Sequence, residues 1–430
     1  MEKKEYLKTV IGLFFIVGIA FSAFSQQKSD LEKWLNSIDG LTFERTPLDS
    51  VHQDVYTIFL NQYIDIDHPE KGSFKQRIYL THIDRKQPMV LITEGYGASY
   101  KYISEPAKMI GANQLIVEHR YFGKSCPDSL DWSALTVKNA SADYHHIYTL
   151  FSHYYQNKWL SSGVSKGGQT TIFYKYFYPE DMDICMPYVA PLNLEQEDPR
   201  INLFLRQVGS KEEQERILHY QRLMLNNFDS IFPLYKDLAA QSNQEFAIED
   251  TLTYEFMVLE FPFSYWQWAS LPFDSIPQEM KSASDMLKPM IKLNLADFYY
   301  KRTLEGLMPF MVQAYRELGY YHYDLDSLKN NLIKLDDSSN IVFVPDSLRF
   351  EYDSRIMNDI YTFIHNKGNQ FIYVYGELDP WFSTSVNPDS RVDALKMVLS
   401  GGSHLTRIRH FTKEEQDMVK KKLETWLNKE

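Results

Sequence analysis

The sequence predicts an α/β protein: a mostly parallel sheet flanked by helices and interrupted by a large helical insertion. Three observations predict it. Short apolar runs alternate with helical stretches through the first half of the chain, as in sheets whose crossovers are helices. A Gly-x-Ser-x-Gly turn at 163–167 joins one of those runs to a helix. From about 195 to 355 the periodicity is helical, with many charges and no strand pattern, and the sheet pattern resumes near Asn369.

The chain opens as an export signal. Lys3, Lys4 and Lys8 precede an apolar run from Val10 to Ala20, and Ala23-Phe24-Ser25 is a small-x-small cleavage site that leaves Gln26 as the new N-terminus. The run is short for a membrane span, and no cysteine stands directly after the site, which speaks against a lipid anchor. A secreted or periplasmic protein without a stable membrane anchor is therefore expected. Val55–Ile66 and Phe74–Ile83 alternate as antiparallel strands around the turn 68–72. Pro88–Thr93 and Ala112–Val117 are continuous apolar runs, as strands buried on both faces should be. The first opens into Glu94-Gly95-Tyr96-Gly97, the second into Glu118-His119-Arg120-Tyr121-Phe122-Gly123. A helix over Ser141–Gln156, the strand and helix around Ser165, and a strand over Asp183–Ala190 complete this half. The aromatic stretch Glu260–Trp268 is expected to interrupt the inserted helices. The expected layout is a signal peptide at 1–25, a catalytic α/β domain from 26–194 and 356–430, and a helical cap at 195–355.

Composition excludes several classes. A formal net charge of −12 lacks the basic surface that nucleic acid needs. The two cysteines, Cys126 and Cys185, could form one disulfide after export or stay as buried thiols. Neither belongs to a metal-ligand spacing, so no metal or other cofactor is expected. The 430 residues exceed one simple core. The aromatic share of 15 % fits either a lined cleft or an aromatic-rich core.

The chemistry points to Ser165. In the strand–turn–helix context its hydroxyl projects from the sheet, while the helix N-terminus aims N–H groups at any oxyanion formed there. A serine nucleophile needs a base, and the base an orienting carboxylate. In the α/β-hydrolase fold these follow in the order serine, acid, histidine. Asp379 lies just past the apolar run 370–376, and His404 in a glycine-rich loop before the last helix. Glu377 competes as the acid; Asp379 is preferred because Pro380 stiffens its loop.

Five blocks together resemble a known family: Ser73–Arg77, Thr93–Gly97, Glu118–Ser125, Ser162–Gly168 and Phe261–Trp268. They look like the secreted tripeptidyl aminopeptidases of serine peptidase family 37, over residues 40–410. The Glu118–Ser125 block is shared with the related Pro-X carboxypeptidases and dipeptidyl-peptidase II, but Lys166 stands where those usually carry tyrosine, which favours family 37. The resemblance implies Ser165 as nucleophile, Asp379 as orienting acid and His404 as general base. It also implies release of short peptides from free N-termini, with proline before the scissile bond. The oxyanion would be held by the Lys166 N–H and one N–H from the loop at Tyr96 and Gly97, the Lys166 side chain being solvated or paired with a carboxylate. The substrate ammonium would meet Glu94 or Glu118, although Glu118 pairing with Arg120 or capping a loop is an equal reading. Trp266, Trp268, Tyr265 and Trp381 are candidates for a proline pocket. An esterase or lipase of the same fold, a carboxypeptidase using Arg120 or Lys166 as a clamp, and a non-catalytic protein are the alternatives. Peptides are the expected partners; the oligomeric state is not legible.

Overall fold

The computed structural model describes residues 29–46, 54–99 and 102–429; the expected export signal at 1–25 lies outside them. Nine strands form one sheet: β1 (Leu41–Thr46), β2 (Asp54–Tyr63), β3 (Ser73–His82), β4 (Met89–Thr93), β5 (Asn113–Val117), β6 (Trp159–Val164), β7 (Ile184–Tyr188), β8 (Phe371–Gly376) and β9 (Ala394–Leu399). Their order is β1-β2-β3-β5-β4-β6-β7-β8-β9. β1, β2 and β3 pair antiparallel, β3 pairs antiparallel with β5, and every pair from β5 to β9 is parallel. This order, with a serine turn after the central β6, is the α/β-hydrolase arrangement.

Alternation along each parallel strand fills two cores. Leu91, Leu115, Phe371 and Tyr373 face one side, where α1 (Asp30–Leu35), α3 (Val137–Phe151), α4 (Lys166–Phe177) and α11 (Ser354–Lys367) pack. Val90, Ile92, Ile116, Ile372 and Val374 face the other, covered by α2 (Glu105–Ile110) and α12 (Lys413–Leu427). Burial on both faces is why these strands read as unbroken apolar runs.

Between β7 and β8 the described chain is helical, with a third core of its own. It holds α5 (Pro199–Leu205), α6 (Lys211–Asn226), α7 (Phe228–Gln241), α8 (Asp250–Trp268), α9 (Ala283–Lys292) and α10 (Lys301–Gln313). The Glu260–Trp268 stretch does not interrupt these helices. It forms the last turns of α8, which carries Pro262 inside it. α8 is buried around most of its circumference, so it lacks the polar stripe that marks a surface helix.

Other differences have local causes. α3 begins at Val137 rather than Ser141, because Thr136 caps it by accepting the Asn139 N–H at 3.1 Å. β1 and β9 had no expectation from sequence: both are edge strands with partly exposed residues. Both cysteines are free, Cys185 buried and Cys126 exposed.

Two buried charges fasten the layers. Arg120 is 2 % exposed and grips Asp143 of α3 through Nε and Nη2, each at 2.8 Å. Its remaining donors reach the carbonyls of Tyr63, Ile64 and Ala134. Arg120 therefore pairs with Asp143 and not with Glu118, and it is closed off as a carboxylate clamp. Glu317, in the π-turn 314–318 that follows α10, accepts the Val137 N–H at 2.9 Å and so joins the insertion to the start of α3. Burial pushes its carboxyl up to about 7.

Removing one partner of a buried pair leaves the other charge uncompensated. Arg120→Ala is thus expected to lower unfolding stability by roughly 3–5 kcal/mol in a urea titration. Glu317 has a folded pKa raised above its unfolded value of 4.5, so its folded form is penalised progressively as pH rises from there to about 7. Stability should fall across that window, and Glu317→Gln should flatten the fall, as read from urea midpoints at pH 5 and pH 8.

Candidate active site

Ser165 sits between β6 and α4 with φ 56° and ψ −123°, a conformation that costs a non-glycine residue on the order of 1–3 kcal/mol. The surroundings hold it there. A Cβ on Gly163 would lie 2.6 Å from the Thr93 carbonyl, and one on Gly167 would overlap the same oxygen. Thr93 in turn donates its hydroxyl to the Gly167 carbonyl at 2.8 Å. The Ser165 N–H reaches the Tyr188 carbonyl at 2.9 Å, which locks the turn to β7. The serine is half-buried at the N-terminus of α4, where the helix dipole favours a developing negative charge.

Asp379 follows β8 and His404 follows β9, both at the C-terminal edge of the parallel strands. His404 Nδ1 lies 2.6 Å from Asp379 Oδ2, with both side chains buried. A carboxylate only accepts, so Nδ1 carries the proton and Nε2 keeps a lone pair. The His404 N–H donates to the Gln267 carbonyl of α8, and the Trp268 ring stands edge-on to the imidazole at 5.7 Å. The insertion thus holds the histidine loop from above. Glu377 acts elsewhere. It accepts from Ser400 Oγ at 2.7 Å and from the Gly401 N–H at 2.9 Å, tying β8 to the loop that carries His404. The bond between Ser165 Oγ and the imidazole is not formed in this structure; in serine hydrolases such bonds often tighten only around substrate.

Ser165 opens on a cavity of about 560 Å³ between the sheet edge and the insertion, whose lining includes Tyr96, Trp268, Tyr320 and Trp381. Several expected site residues lie elsewhere. Trp266 and Tyr265 belong to the insertion's core, as the apolar spacing of α8 requires. Glu118 is fully buried and does not line the cavity: it pairs with Arg77 and accepts from the Ala98 and Lys124 N–H groups and Ser125 Oγ. Its four donors leave it no capacity for a substrate ammonium. Gly97 backs onto Glu118, so of the proposed oxyanion loop only Tyr96 lines the cavity. Glu94 accepts from Tyr102 Oη at 2.5 Å outside the cavity lining, and burial raises its carboxyl above the usual range.

The Lys166 side chain is neither solvated nor paired with a carboxylate. It is buried, donates to the Gly95 carbonyl at 2.8 Å and lies 5.7 and 5.6 Å from the Tyr96 and Phe122 rings. Burial holds its ammonium well below lysine's ordinary value. The side chain thereby pins the Gly95–Tyr96 turn beside the serine. Residues that sequence reasoning left without a role include Gln267, Tyr320 and Glu260, all lining the cavity. Glu260 had one signal, a lone carboxylate in an apolar run from Phe256 to Phe263.

A sequence model of the PS-10 peptidase S37 family matches residues 25–408. The chain belongs to the peptidase S37 family. This S37 protein is accordingly a serine peptidase on an α/β-hydrolase fold. It is 29 % identical over 410 residues to a prolyl tri/tetrapeptidyl aminopeptidase from Streptomyces mobaraensis, covering 93 % of this chain and 85 % of that one. Among solved structures it is similar to a proline iminopeptidase from Mycobacterium smegmatis, with TM-score 0.39, 11 % identity and coverage of 90 % and 99 %. It is also similar to a 2-hydroxy-6-oxo-6-phenylhexa-2,4-dienoate hydrolase from Rhodococcus, with TM-score 0.37, 12 % identity and coverage of 86 % and 99 %. Similarity at that level adds nothing to what the strand order already establishes.

The two candidate acids should separate cleanly. Asp379→Asn is expected to lower kcat by about 10,000-fold, because the imidazole would lose its tautomer and orientation. Glu377→Gln, which keeps an acceptor for Ser400, should stay within about tenfold of wild type. Steady-state peptidase kinetics on both variants check the assignment.

Proposed function

We propose that this S37 peptidase is an exopeptidase that removes short peptides, tripeptides above all, from free N-termini, preferring proline before the scissile bond. The reading rests on the buried Asp379–His404 hydrogen bond at 2.6 Å beside a cavity that Ser165 lines. In the proposed reaction Ser165 Oγ attacks the substrate carbonyl, and His404 Nε2 takes its proton and returns it to the leaving amine. Water then hydrolyses the acyl-enzyme by the same steps. The Lys166 N–H at the start of α4 and a donor from the Tyr96 loop would hold the oxyanion.

Two features support a peptide end rather than a chain interior. Much of the cavity lining comes from the insertion, and the Streptomyces mobaraensis relative is named a prolyl tri/tetrapeptidyl aminopeptidase. Proline preference draws on the aromatic wall, where the Trp381 ring lies 5.2 Å from Phe263 and 5.8 Å from Tyr320. Flat apolar faces suit a residue with no N–H to satisfy. The two cations considered as a carboxypeptidase clamp, Arg120 and Lys166, are both committed to buried acceptors. We also infer export to the periplasm or beyond, on the basic, apolar and small-x-small pattern of residues 3–25.

Digestion of an unblocked proline-containing peptide, read by mass spectrometry, should release its N-terminal tripeptide. Ser165→Ala should abolish that release with the fold intact by circular dichroism. Hydrolysis of a short acyl ester without cleavage of an Ala-Ala-Pro amide would replace the peptidase reading with an esterase.

A further inference from the structure

An enzyme that acts on free N-termini must recognise an ammonium group, and neither Glu94 nor Glu118 faces the cavity. Glu260 does. It projects from the middle of α8 in the insertion, 9 % exposed, into the cavity that Ser165 lines from the sheet side. Three hydroxyls orient its carboxylate. Ser264 Oγ donates to Oε1 at 2.5 Å, while Tyr321 and Tyr323 Oη donate to Oε2 at 2.7 and 2.9 Å. The Tyr299 hydroxyl lies 3.1 Å behind that of Tyr323 and extends the network.

All of these donors are neutral. Among the described residues no arginine, lysine or histidine forms an ion pair with Glu260. The other charged residues that line the cavity are committed or peripheral: Lys166 donates to Gly95, and Lys292 and Asp297 are exposed at the rim. An ionised carboxylate in such a place is costly without a cation. A helix core has no packing need for one, since a leucine or methionine there would be cheaper. The walls beside it are aromatic, with Phe263 stacked on Tyr321 at 4.2 Å, and aromatic faces attract cations as well as apolar groups.

We propose that Glu260 is the anchor for the α-ammonium group of the substrate, so that its distance from Ser165 sets where the peptide is cut. The proposal rests on the aminopeptidase reading above and adds the residue that makes the enzyme one. The ammonium would donate to the carboxylate edge left open by the three hydroxyls. An N-acetylated peptide brings no charge to the site and would leave Glu260 uncompensated. Burial holds the Glu260 carboxyl above its ordinary value in the free enzyme, and an arriving cation acts in the opposite direction.

The test measures kcat/KM for an Ala-Ala-Pro amide with its N-terminus free and acetylated, on wild type and Glu260→Gln, with fluorophosphonate labelling of Ser165 as a control. Wild type should prefer the free peptide strongly. Glu260→Gln should lose about 100-fold on the free peptide, the size of a broken buried charge contact, and should change little on the acetylated one. Labelling should be unaltered. A preference for the free N-terminus that survives in Glu260→Gln overturns the assignment, as does loss of labelling at unchanged preference, which would make Glu260 a structural residue. If the glutamine variant does not fold, Tyr321→Phe with Tyr323→Phe is read in its place. That pair keeps the carboxylate but removes two of its donors, so it should erode the preference several-fold; an intact preference again overturns the proposal. Failure of wild type to cleave the free peptide at all counts against the aminopeptidase reading itself and is thereby told apart.

Discussion

Three backbones meet at the end of β6 with no side chain between them: the nucleophile turn, the end of β4 and the start of α4. The Thr93 carbonyl occupies the space that a Cβ on either Gly163 or Gly167 would need. That contact lets α4 begin immediately behind Ser165 and holds the serine at φ 56°, where an isolated chain would not keep it. The strain is sustained by the two cores on either side of the sheet, which leave β4, β6 and β7 no freedom to relax. Once the turn is set, the direction of the hydroxyl, the helix N-terminus beneath it and the position of the cavity follow from it.

The rest of the site is brought to that turn by separate means. Asp379 and His404 arrive on loops behind β8 and β9, strands that join the sheet only after the insertion is complete. Their mutual geometry comes from local bonds: Glu377 to Ser400 and Gly401 on one side, the Gln267 carbonyl to the His404 N–H on the other. The insertion is thus more than a lid. It supplies a backbone acceptor to the histidine loop, aromatic walls to the cavity and a buried carboxyl group, Glu260, to the lining that Ser165 shares. The contact to the histidine loop and the cavity carboxylate come from one helix, α8.

Buried ionisable groups are compensated in different ways in this molecule. Arg120 and Asp143 are paired, as are Glu118 and Arg77, and the two pairs brace the loops behind β5. Lys166, Glu260, Glu255 and Glu317 are hydrogen-bonded only to neutral groups, and of these Lys166 and Glu260 line the cavity. Burial makes such groups expensive to keep charged, and the two that line the cavity are the ones a ligand can reach. Glu118 and Glu260 are both buried glutamates, and they differ in whether the protein itself supplies the cation.

The amino-acid sequence by itself determined the α/β class, the central strands and the serine turn, because each is written in neighbouring residues. Unbroken apolar runs record burial on two faces, and glycines at 163 and 167 record a backbone approach that admits no Cβ. The pairing of Asp379 with His404 was legible as chain order alone. Only the tertiary structure decided which carboxylate does what. Glu94, Glu118, Glu260 and Glu377 look alike as letters, and their roles depend on which donors the folded chain brings within 3 Å, eight residues away for Glu94 and 61 for Glu260. The same holds for the tryptophans, since Trp266 and Trp268 are two residues apart yet one is core and the other cavity wall. A helix turns its successive residues about 100° apart, and which face meets the sheet is set by packing that no local pattern records.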